Sequence, residues 1–262
     1  MRRALYAHAE SIQLPVSLDV LCRLAGVRWK EAAAAVSVPI RAVGAAGAET
    51  VAAADLARDG EELQITLGEG PSLDVLVGDP AIYLSELTDP SEIRWPMFAP
   101  AAALLGIRSM AVMPMRVGAA RFGAFAVYLT RPGGLDPRDG AEAIILASIA
   151  LDLLLEDLGP IGARTLSAPK AEGAGPGGFD GSPGDGDHGD GAVEDRPEIH
   201  QATGMISIQL GVDLPTALLR LRARAFAENR RLSHVSADVV SRVLRFDGTH
   251  PGYPELGGAD AD

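Results

Sequence analysis

A long stretch poor in apolar residues divides this chain and confines compact folding to the segments on either side. Residues 159–195 hold 11 of the 30 glycines, several prolines and aspartates, and Phe179 as the one aromatic residue. Such a composition buries too little apolar surface to offset the entropy lost on ordering, so it is typical of a flexible linker. The sequence therefore predicts two folded domains, over residues 17–158 and 196–246.

The ends of the chain are predicted to lie outside both domains. Residues 1–16 are interpreted as an N-terminal extension. Residues 247–262 are again rich in Gly, Pro and Asp, and we expect a disordered tail there.

Charge is distributed unevenly between the two predicted domains. The whole chain has 35 acidic and 23 basic residues and a net charge of -12, which argues against a nucleic-acid partner for the chain as a whole. Residues 196–246 contain eight arginines against four acidic residues, a net charge of +4, which leaves -16 for the rest. This asymmetry indicates an anionic partner for the small domain.

Three short helices are predicted in the small domain, over residues 197–210, from Asp213 to 228, and over 233–245. Gly211 suits the end of the first helix and Asp213 the N-cap of the second. Isolated helices of this length are marginal, so they must pack on one another. In the third helix the inward side is predicted to comprise Val239, Val240, Val243 and Leu244, with Arg242 outward.

A helical wheel of the second helix separates an apolar face from a basic one. The apolar face comprises Leu214, Leu218, Leu221 and Ala225, widened by Leu219 and Phe226. Arg220 and Arg224 project together from the opposite face, which Arg231 extends if the helical path persists. Arg222 falls inside the apolar arc, where we expect it to snorkel or to pair with a carboxylate such as Asp238.

The segment IHQATGMISIQLGVDLPTALLRLRARAFAENRRLSHVSADVVSRVLRF, residues 199–246, resembles an ANTAR domain, the RNA-binding output module of bacterial transcription antiterminators. The matching positions are Gln201, Ala202 and Gly204 in the first helix, Ala217, Leu221, Ala225 and Phe226 in the second, and Arg231, Leu232 and 233–240 in the third. The resemblance implies binding to stem-loops in nascent leader RNA, which blocks a terminator hairpin.

Arginine suits such a partner because its planar guanidinium pairs with phosphate and stacks on unpaired bases. The candidate RNA-binding residues are Arg220, Arg224, Arg230, Arg231, Arg242 and Arg245. Two alternatives remain open. One is a sensor or protein-interaction module that binds no nucleic acid, and the other is a DNA-binding transcription regulator that uses the third helix for recognition.

Residues 17–158 have the pattern of an α+β domain, an antiparallel sheet with flanking helices. Strands are predicted over 33–40, 49–54, 81–84, 109–117 and 121–130, and helices over 17–25, 55–67, 97–105 and 137–158. MAVMPMRV and ARFGAFAVYL, joined across 118–120, indicate a hairpin.

The motifs LQITLGEGPSLDVL, RWPMFAPAAALLGIRSMAVMPM and FGAFAVYL resemble a GAF domain of the kind joined to ANTAR modules in actinobacteria. The predicted fold is therefore a GAF-like sensor domain followed by an all-α, three-helix ANTAR-like domain. The resemblance implies a sensor of a small ligand, which stays unknown, or of another protein. One group of residues has two possible roles: it comprises Glu69, Asp74, Arg94 and Trp95. The group either lines a ligand site or, as we favour, forms a turn in which Arg94 pairs with a carboxylate and Trp95 enters the core.

The segment AEAIILASIALDLLLEDL, residues 141–158, is apolar on nearly every side of a helix. Because a monomer has difficulty covering that much apolar surface, we predict that this helix packs against its copy in a homodimer.

Catalytic, cofactor and metal-binding patterns are not found in the sequence. The five histidines are scattered, Cys22 is the only cysteine, and no P-loop or nucleophile-elbow motif occurs. No apolar stretch approaches the ~20 residues of a membrane span. We therefore expect a cytoplasmic protein that is not an enzyme and uses no cofactor, no metal and no membrane.

Overall fold

A computed structural model describes residues 1–42, 45–92, 94–167, 197–228 and 230–246. Contacts within the chain divide it into two compact units, residues 1–196 and 197–262. We refer to the described parts of these units as the N-terminal and C-terminal domains. The predicted linker beyond residue 167 and the predicted tail from 247 lie outside the described residues.

The N-terminal domain combines helices with an antiparallel sheet. Its described helices are α1 (Arg2–Ser11), α2 (Leu18–Arg28), α3 (Asp55–Leu67), α4 (Pro71–Val77), α5 (Phe98–Leu104) and α6 (Pro137–Ser167). Its described strands are β1 (Ala32–Ala42), β2 (Ala45–Ala53), β3 (Ile82–Leu84), β4 (Ser109–Val117) and β5 (Ala120–Leu129).

All neighbouring strands pair antiparallel in the order β2-β1-β5-β4-β3. The predicted hairpin is present, since β4 and β5 pair as far as Val117 and Ala120 and are joined by a two-residue turn. The predicted fold class, an antiparallel sheet with flanking helices followed by a three-helix domain, is confirmed.

Helices cover both faces of the sheet. One face packs against α2 and α6, with α1 packed on α2 at the same core, and the other face packs against α3 and α4. The central strand β5 is consequently buried along Phe122–Leu129 rather than on alternate residues. The apolar core on the α6 side includes Leu21, Trp29, Phe125, Val127, Leu146 and Leu154.

Two helices lie where the sequence predicted none. Helix α1 occupies most of the predicted extension over residues 1–16, and its Leu5 and Ala9, four residues apart, are buried in the core. Helix α4 follows α3 directly, with Pro71 in its first turn. Two local signals in the sequence indicate these helices. One is the i, i+4 apolar pair in α1, and the other is the Gly-Pro dipeptide at which α4 begins.

Helix α6 extends beyond the predicted end at residue 158. The backbone is non-helical at Gly159, with φ of 63° and ψ of -177°, and the helical path then continues to Ser167. The predicted boundary at 159 therefore coincides with a break in the helix rather than with its end.

The C-terminal domain is built from α7 (Pro197–Leu210), α8 (Leu214–Ala227) and α9 (Leu232–Val240). Asp213 caps α8, since its Oδ1 accepts a hydrogen bond of 2.9 Å from the Thr216 N–H. Hydrogen bonds from the Thr216 side chain and from its backbone N–H hold the pKa of Asp213 below its ordinary value. The core consists of Ile199, Ala202, Ile206, Ala217, Leu218, Leu221, Ala225, Leu232, Val235 and Val239.

The third helix is shorter than predicted, because α9 ends at Val240 instead of residue 245. Arg242 adopts a left-handed backbone with φ of 63°, and the Leu244 N–H donates to the carbonyl of Asp238 at 2.9 Å. The chain therefore folds back over the helix end. Val243, predicted to point inward, is 77% exposed as a result.

Candidate nucleic-acid interface

The outward face of α8 carries apolar side chains that were predicted to be buried. Leu219 is 64% exposed and Phe226 is 42% exposed. The prediction that they widen the buried face is wrong, because a narrow stripe containing Leu218, Leu221 and Ala225 is enough to contact α7 and α9. Leu219 and Phe226 are seven residues apart and so point in nearly the same direction, away from that stripe.

One arginine, Arg222, borders this exposed apolar face. On the helical wheel Arg222 lies about 40–60° from Leu219 and Phe226, whereas Arg220 and Arg224 lie on the opposite side, about 100–160° away. Arg222 is half-buried, and its Nε atom is buried with no hydrogen-bond partner among the described residues. Burial lowers the pKa of its guanidinium.

The expected pairing of Arg222 with Asp238 does not occur, because Asp238 is taken by another arginine. Arg230 Nη2 lies 2.6 Å from Asp238 Oδ2, and its Nη1 lies 3.2 Å from Glu228 Oε2. Glu228 also pairs with Arg224 through its other oxygen. Two acidic residues thus link Arg224 and Arg230 into one chain of ion pairs.

These ion pairs partly neutralise two of the six predicted RNA-binding arginines. The net charge of the four residues is zero, since Arg224 and Arg230 are positive and Glu228 and Asp238 are negative. All four side chains keep between 27% and 43% of their surface exposed. Exposed pairs of this kind contribute only about 0–1 kcal/mol, so a phosphate can compete for the guanidiniums.

The arginines after α9 are placed differently. Arg242 and Arg245 are exposed, and their side chains make no ion pair or hydrogen bond within the described part of the chain. Their segment is held on α7, since the Phe246 N–H donates to Gln209 Oε1 at 2.8 Å. Arg231 is the N-cap residue of α9 with an extended backbone, so it does not continue the basic margin of α8.

In the N-terminal domain, the group around Glu69 and Trp95 is structural. Glu69 Oε1 accepts hydrogen bonds from the backbone N–H groups of Met97 and Phe98 at 2.7 and 2.8 Å, which caps the start of α5. Trp95 is buried, and its Nε1 donates to Asp74 Oδ2 at 2.9 Å.

Arg94 completes the favoured interpretation of that group. Its guanidinium pairs with Glu92 at 2.6 Å and lies 4.2 Å from the centroid of the Trp95 ring. The predicted turn, with Arg94 paired to a carboxylate and Trp95 in the core, is therefore confirmed.

A buried polar cluster that the sequence analysis did not identify lies between α3, α4 and the sheet. Glu61 Oε1 accepts hydrogen bonds from Ser72 Oγ at 2.6 Å and Tyr128 OH at 2.7 Å, and its Oε2 accepts one from Ser37 Oγ at 2.8 Å. Gln64 Nε2 donates to Tyr128 OH at 2.6 Å. Burial raises the pKa of Glu61 despite these donors. The cluster fills the space between helices and sheet with side chains that satisfy one another.

An open groove of 540 Å³ lies beside α6, with Met113, Met115 and Leu151 among its lining residues. Two arginines line it, and both donate to backbone carbonyls of the chain. Arg121 Nη1 donates to the carbonyls of Val75 and Asp79 at 2.7 Å each, and Arg116 Nη1 donates to that of Gly118 at 3.2 Å. The groove therefore has a mixed lining, in which the buried Met113 and Met115 are apolar and Arg116, Arg121 and Ser148 contribute polar groups.

The described residues contain no group of three or more His, Cys, Asp or Glu side chains placed to hold a metal ion. Cys22 is buried, and burial raises the pKa of its thiol. Within the same residues no single helix has the length and apolarity of a membrane span. Glu198–Leu210 and Leu214–Ala227 meet those criteria only as a pair, bent by 106°.

Fold and surface together define a protein with an α+β domain and a small, basic three-helix domain. Residues 190–240 match the family model of the ANTAR domain. The chain therefore carries an ANTAR domain, as the resemblance predicted, and this makes it a regulatory protein. No curated protein matches the chain.

Solved structures similar to the chain include GAF domains of phosphoenolpyruvate-protein phosphotransferases. The domain from Coxiella burnetii is 13% identical, with a TM-score of 0.42, over 59% of this chain and 92% of that one. The domain from Acinetobacter is 13% identical, with a TM-score of 0.43 and the same coverage. A type II free methionine-R-sulfoxide reductase from Thermoplasma acidophilum is 12% identical, with a TM-score of 0.40, over 58% of this chain and 95% of that one.

Proposed function

We propose that the protein is an RNA-binding transcription antitermination regulator. Its ANTAR domain binds stem-loops in nascent leader RNA, and the N-terminal domain acts as the sensor that controls this binding. The observation that carries the proposal is the match of residues 190–240 to the ANTAR family. We place the protein in the cytoplasm, where nascent bacterial transcripts are found.

The charge of the C-terminal domain supports an RNA partner. Arg242 and Arg245 are exposed without a carboxylate partner among the described residues, and Arg220 lies on the exposed margin of α8. Arg224 and Arg230 become available if phosphates replace Glu228 and Asp238 as their partners. Guanidiniums from both ends of the domain can thus contact one folded RNA.

The DNA-binding alternative receives less support from α9. A recognition helix reads bases in the major groove with side chains such as Arg, Lys, Asn and Gln. The sequence of α9, LSHVSADVV, contains none of these four residue types. His234 is its one exposed basic group, and Asp238 adds a negative charge.

A filter-binding titration tests the proposal directly. The full-length protein is titrated against a stem-loop RNA and a duplex DNA of the same sequence at several salt concentrations. We expect tighter binding to the stem-loop, with an affinity that falls as salt rises because counterions are released from the phosphates. Equal binding to both, or binding to neither, contradicts RNA recognition and favours one of the two alternatives.

Arginine variants then locate the interface. Replacing Arg242 and Arg245 by Ala, or Arg220 and Arg224 by Ala, lowers RNA affinity and flattens its salt dependence by about 0.7–0.9 per lost phosphate contact. The matched control is the double variant of Arg3 and Arg23, which removes the same charge from exposed positions of the N-terminal domain. Equal losses in the control would mean that net charge alone is responsible.

We also propose a homodimer, although fewer apolar residues of α6 are exposed to form it than the sequence indicated. Most apolar residues of α6 pack on the sheet of their own domain, which removes much of the surface that the prediction assigned to a partner. Ile144 and Ile145 remain 54% and 48% exposed. These two side chains are the candidate contact with a second copy, which would present two ANTAR domains to two RNA loops.

A further inference from the structure

We infer that Leu219 and Phe226 on α8 form a stacking surface for unpaired bases of the RNA loop. This inference rests on the proposed function and extends it to a part of the interface that carries no charge. The inference starts from the exposure of both side chains. Apolar residues that lie on the same side of a helix and face solvent form a patch that a binding partner can cover.

The two side chains form one strip along the helix. They are seven residues apart, which separates them by about 10 Å along the axis of α8 at 1.5 Å per residue. Between them the helix surface carries the exposed Ala223 on one side and the half-buried Arg222 on the other. A base that lies flat on the strip places its aromatic face on one side chain, so the strip offers one stacking position at Phe226 and an adjacent apolar one at Leu219.

The charges around the strip select an anionic occupant. Arg222 is four residues before Phe226 and therefore a neighbour on the helix surface. Arg220 and Arg224 project from the opposite side of the helix and do not border the strip. A ligand that covers the strip and contacts Arg222 must hence offer an apolar face next to a negative charge.

Unpaired nucleotides combine these two properties in one chain, since each has a flat aromatic base and a phosphate. A paired stem presents phosphates but hides its base faces, so it can contact the arginines and not the strip. A second copy of the α8 face would bring arginines against arginines, which charge repulsion disfavours. The loop of the stem-loop is therefore the occupant to which the surface corresponds.

Substitution at Phe226 tests the inference, with the salt dependence of binding as the discriminating measurement. Stacking contributes about 1–3 kcal/mol per base, so Phe226→Ala should weaken binding to the stem-loop by roughly five- to 150-fold. Because no ion is released by stacking, the salt dependence should stay that of the unaltered protein. Phe226→Trp, which retains an aromatic face, should keep the affinity.

A fluorescent base reports on the contact itself. With 2-aminopurine in the RNA loop, binding of the unaltered protein should change its fluorescence, and Phe226→Ala should abolish that change at saturating protein. Ile208→Ala is the matched control, because Ile208 is an exposed apolar residue on α7 of the same domain. Circular dichroism verifies that each variant keeps its helices.

Failure of the inference is distinguishable from failure of the proposed function. If the unaltered protein binds the stem-loop and Phe226→Ala binds equally well, the stacking surface is absent while RNA binding stands. Equal weakening by Phe226→Ala on a blunt duplex without a loop also overturns the inference. If the unaltered protein binds no RNA, the proposed function fails first.

Discussion

At the scale of single residues, Glu61 is a buried ionisable group of the N-terminal domain. It is a carboxyl group in the core whose two oxygens accept hydrogen bonds from three hydroxyl groups. Burial nevertheless disfavours the charged form, which raises the pKa of Glu61 above its ordinary value. The folded protein consequently binds a proton at this residue more tightly than the unfolded chain does.

The sign of the resulting pH dependence follows from that difference. As pH rises from the unfolded carboxyl pKa of about 4.3 through the raised folded value, Glu61 lowers the free energy of unfolding. Glu61→Gln removes this contribution. Urea unfolding at pH values from 4 to 8 should therefore show that the stability of the unaltered protein, relative to the variant, decreases with rising pH and then levels off.

Glu156→Gln is the control for this measurement, since it makes the same substitution at an exposed position of α6. A constant difference between unaltered protein and Glu61→Gln across the range would show that Glu61 has an ordinary pKa.

Residue-scale prediction from sequence succeeded where a side chain depends on its sequence neighbours. Arg94 pairs with a carboxylate two residues away and lies over the adjacent Trp95. Glu61 was not predicted, because its partners come from β1, α4 and β5 and no local pattern brings them together.

At the scale of elements, the approach of α3 to the sheet is limited by a glycine. A Cβ atom at Gly60 would lie 2.4 Å from Tyr128 Cε1. Tyr128 cannot move aside easily, because its hydroxyl group is held by Glu61 and Gln64. The helix therefore packs closely on β5 only with glycine at this position.

Two glycine substitutions in helices should thus have opposite effects. Gly60→Ala should lower the free energy of unfolding by about 1–3 kcal/mol through overpacking, despite the better helix propensity of alanine. Gly204→Ala on α7 meets no atom within 4 Å, so it should stabilise the C-terminal domain by about 0.5–1 kcal/mol. Chemical denaturation of both variants measures these changes, and stabilisation by Gly60→Ala would contradict the close approach.

Element boundaries were predicted well where caps and periodicity agree. The predicted helix over 55–67, the strand over 109–117 and the helix over 197–210 match the observed bounds of α3, β4 and α7. The end of α9 was missed because its apolar residues continue past Val240 while the backbone turns at Arg242.

At the scale of the whole molecule, the exposed residues of α6 decide whether two chains associate. If Ile144 and Ile145 form the dimer contact, replacing both with Glu should yield a monomer, because two buried carboxylates on each side would be unpaired. Light scattering at micromolar concentration measures the mass. Leu104→Glu, an equally drastic change at a position that is exposed on α5, should leave the dimer intact.

A monomeric mass for the unaltered protein at that concentration would remove the dimer from the proposal. RNA binding by a single ANTAR domain would remain open to the filter-binding test, although without the gain in avidity from two linked sites.

The sequence by itself determined the number and type of most elements, the basic character of the C-terminal domain and its ANTAR family. These properties depend on composition, caps and periodicity, which are local. Only the tertiary structure decided which arginines are paired, why Leu219 and Phe226 face outward, and how Glu61 is enclosed. Each of these depends on side chains that approach one another from distant parts of the chain, and helical periodicity alone does not specify which face of a short helix its neighbours cover.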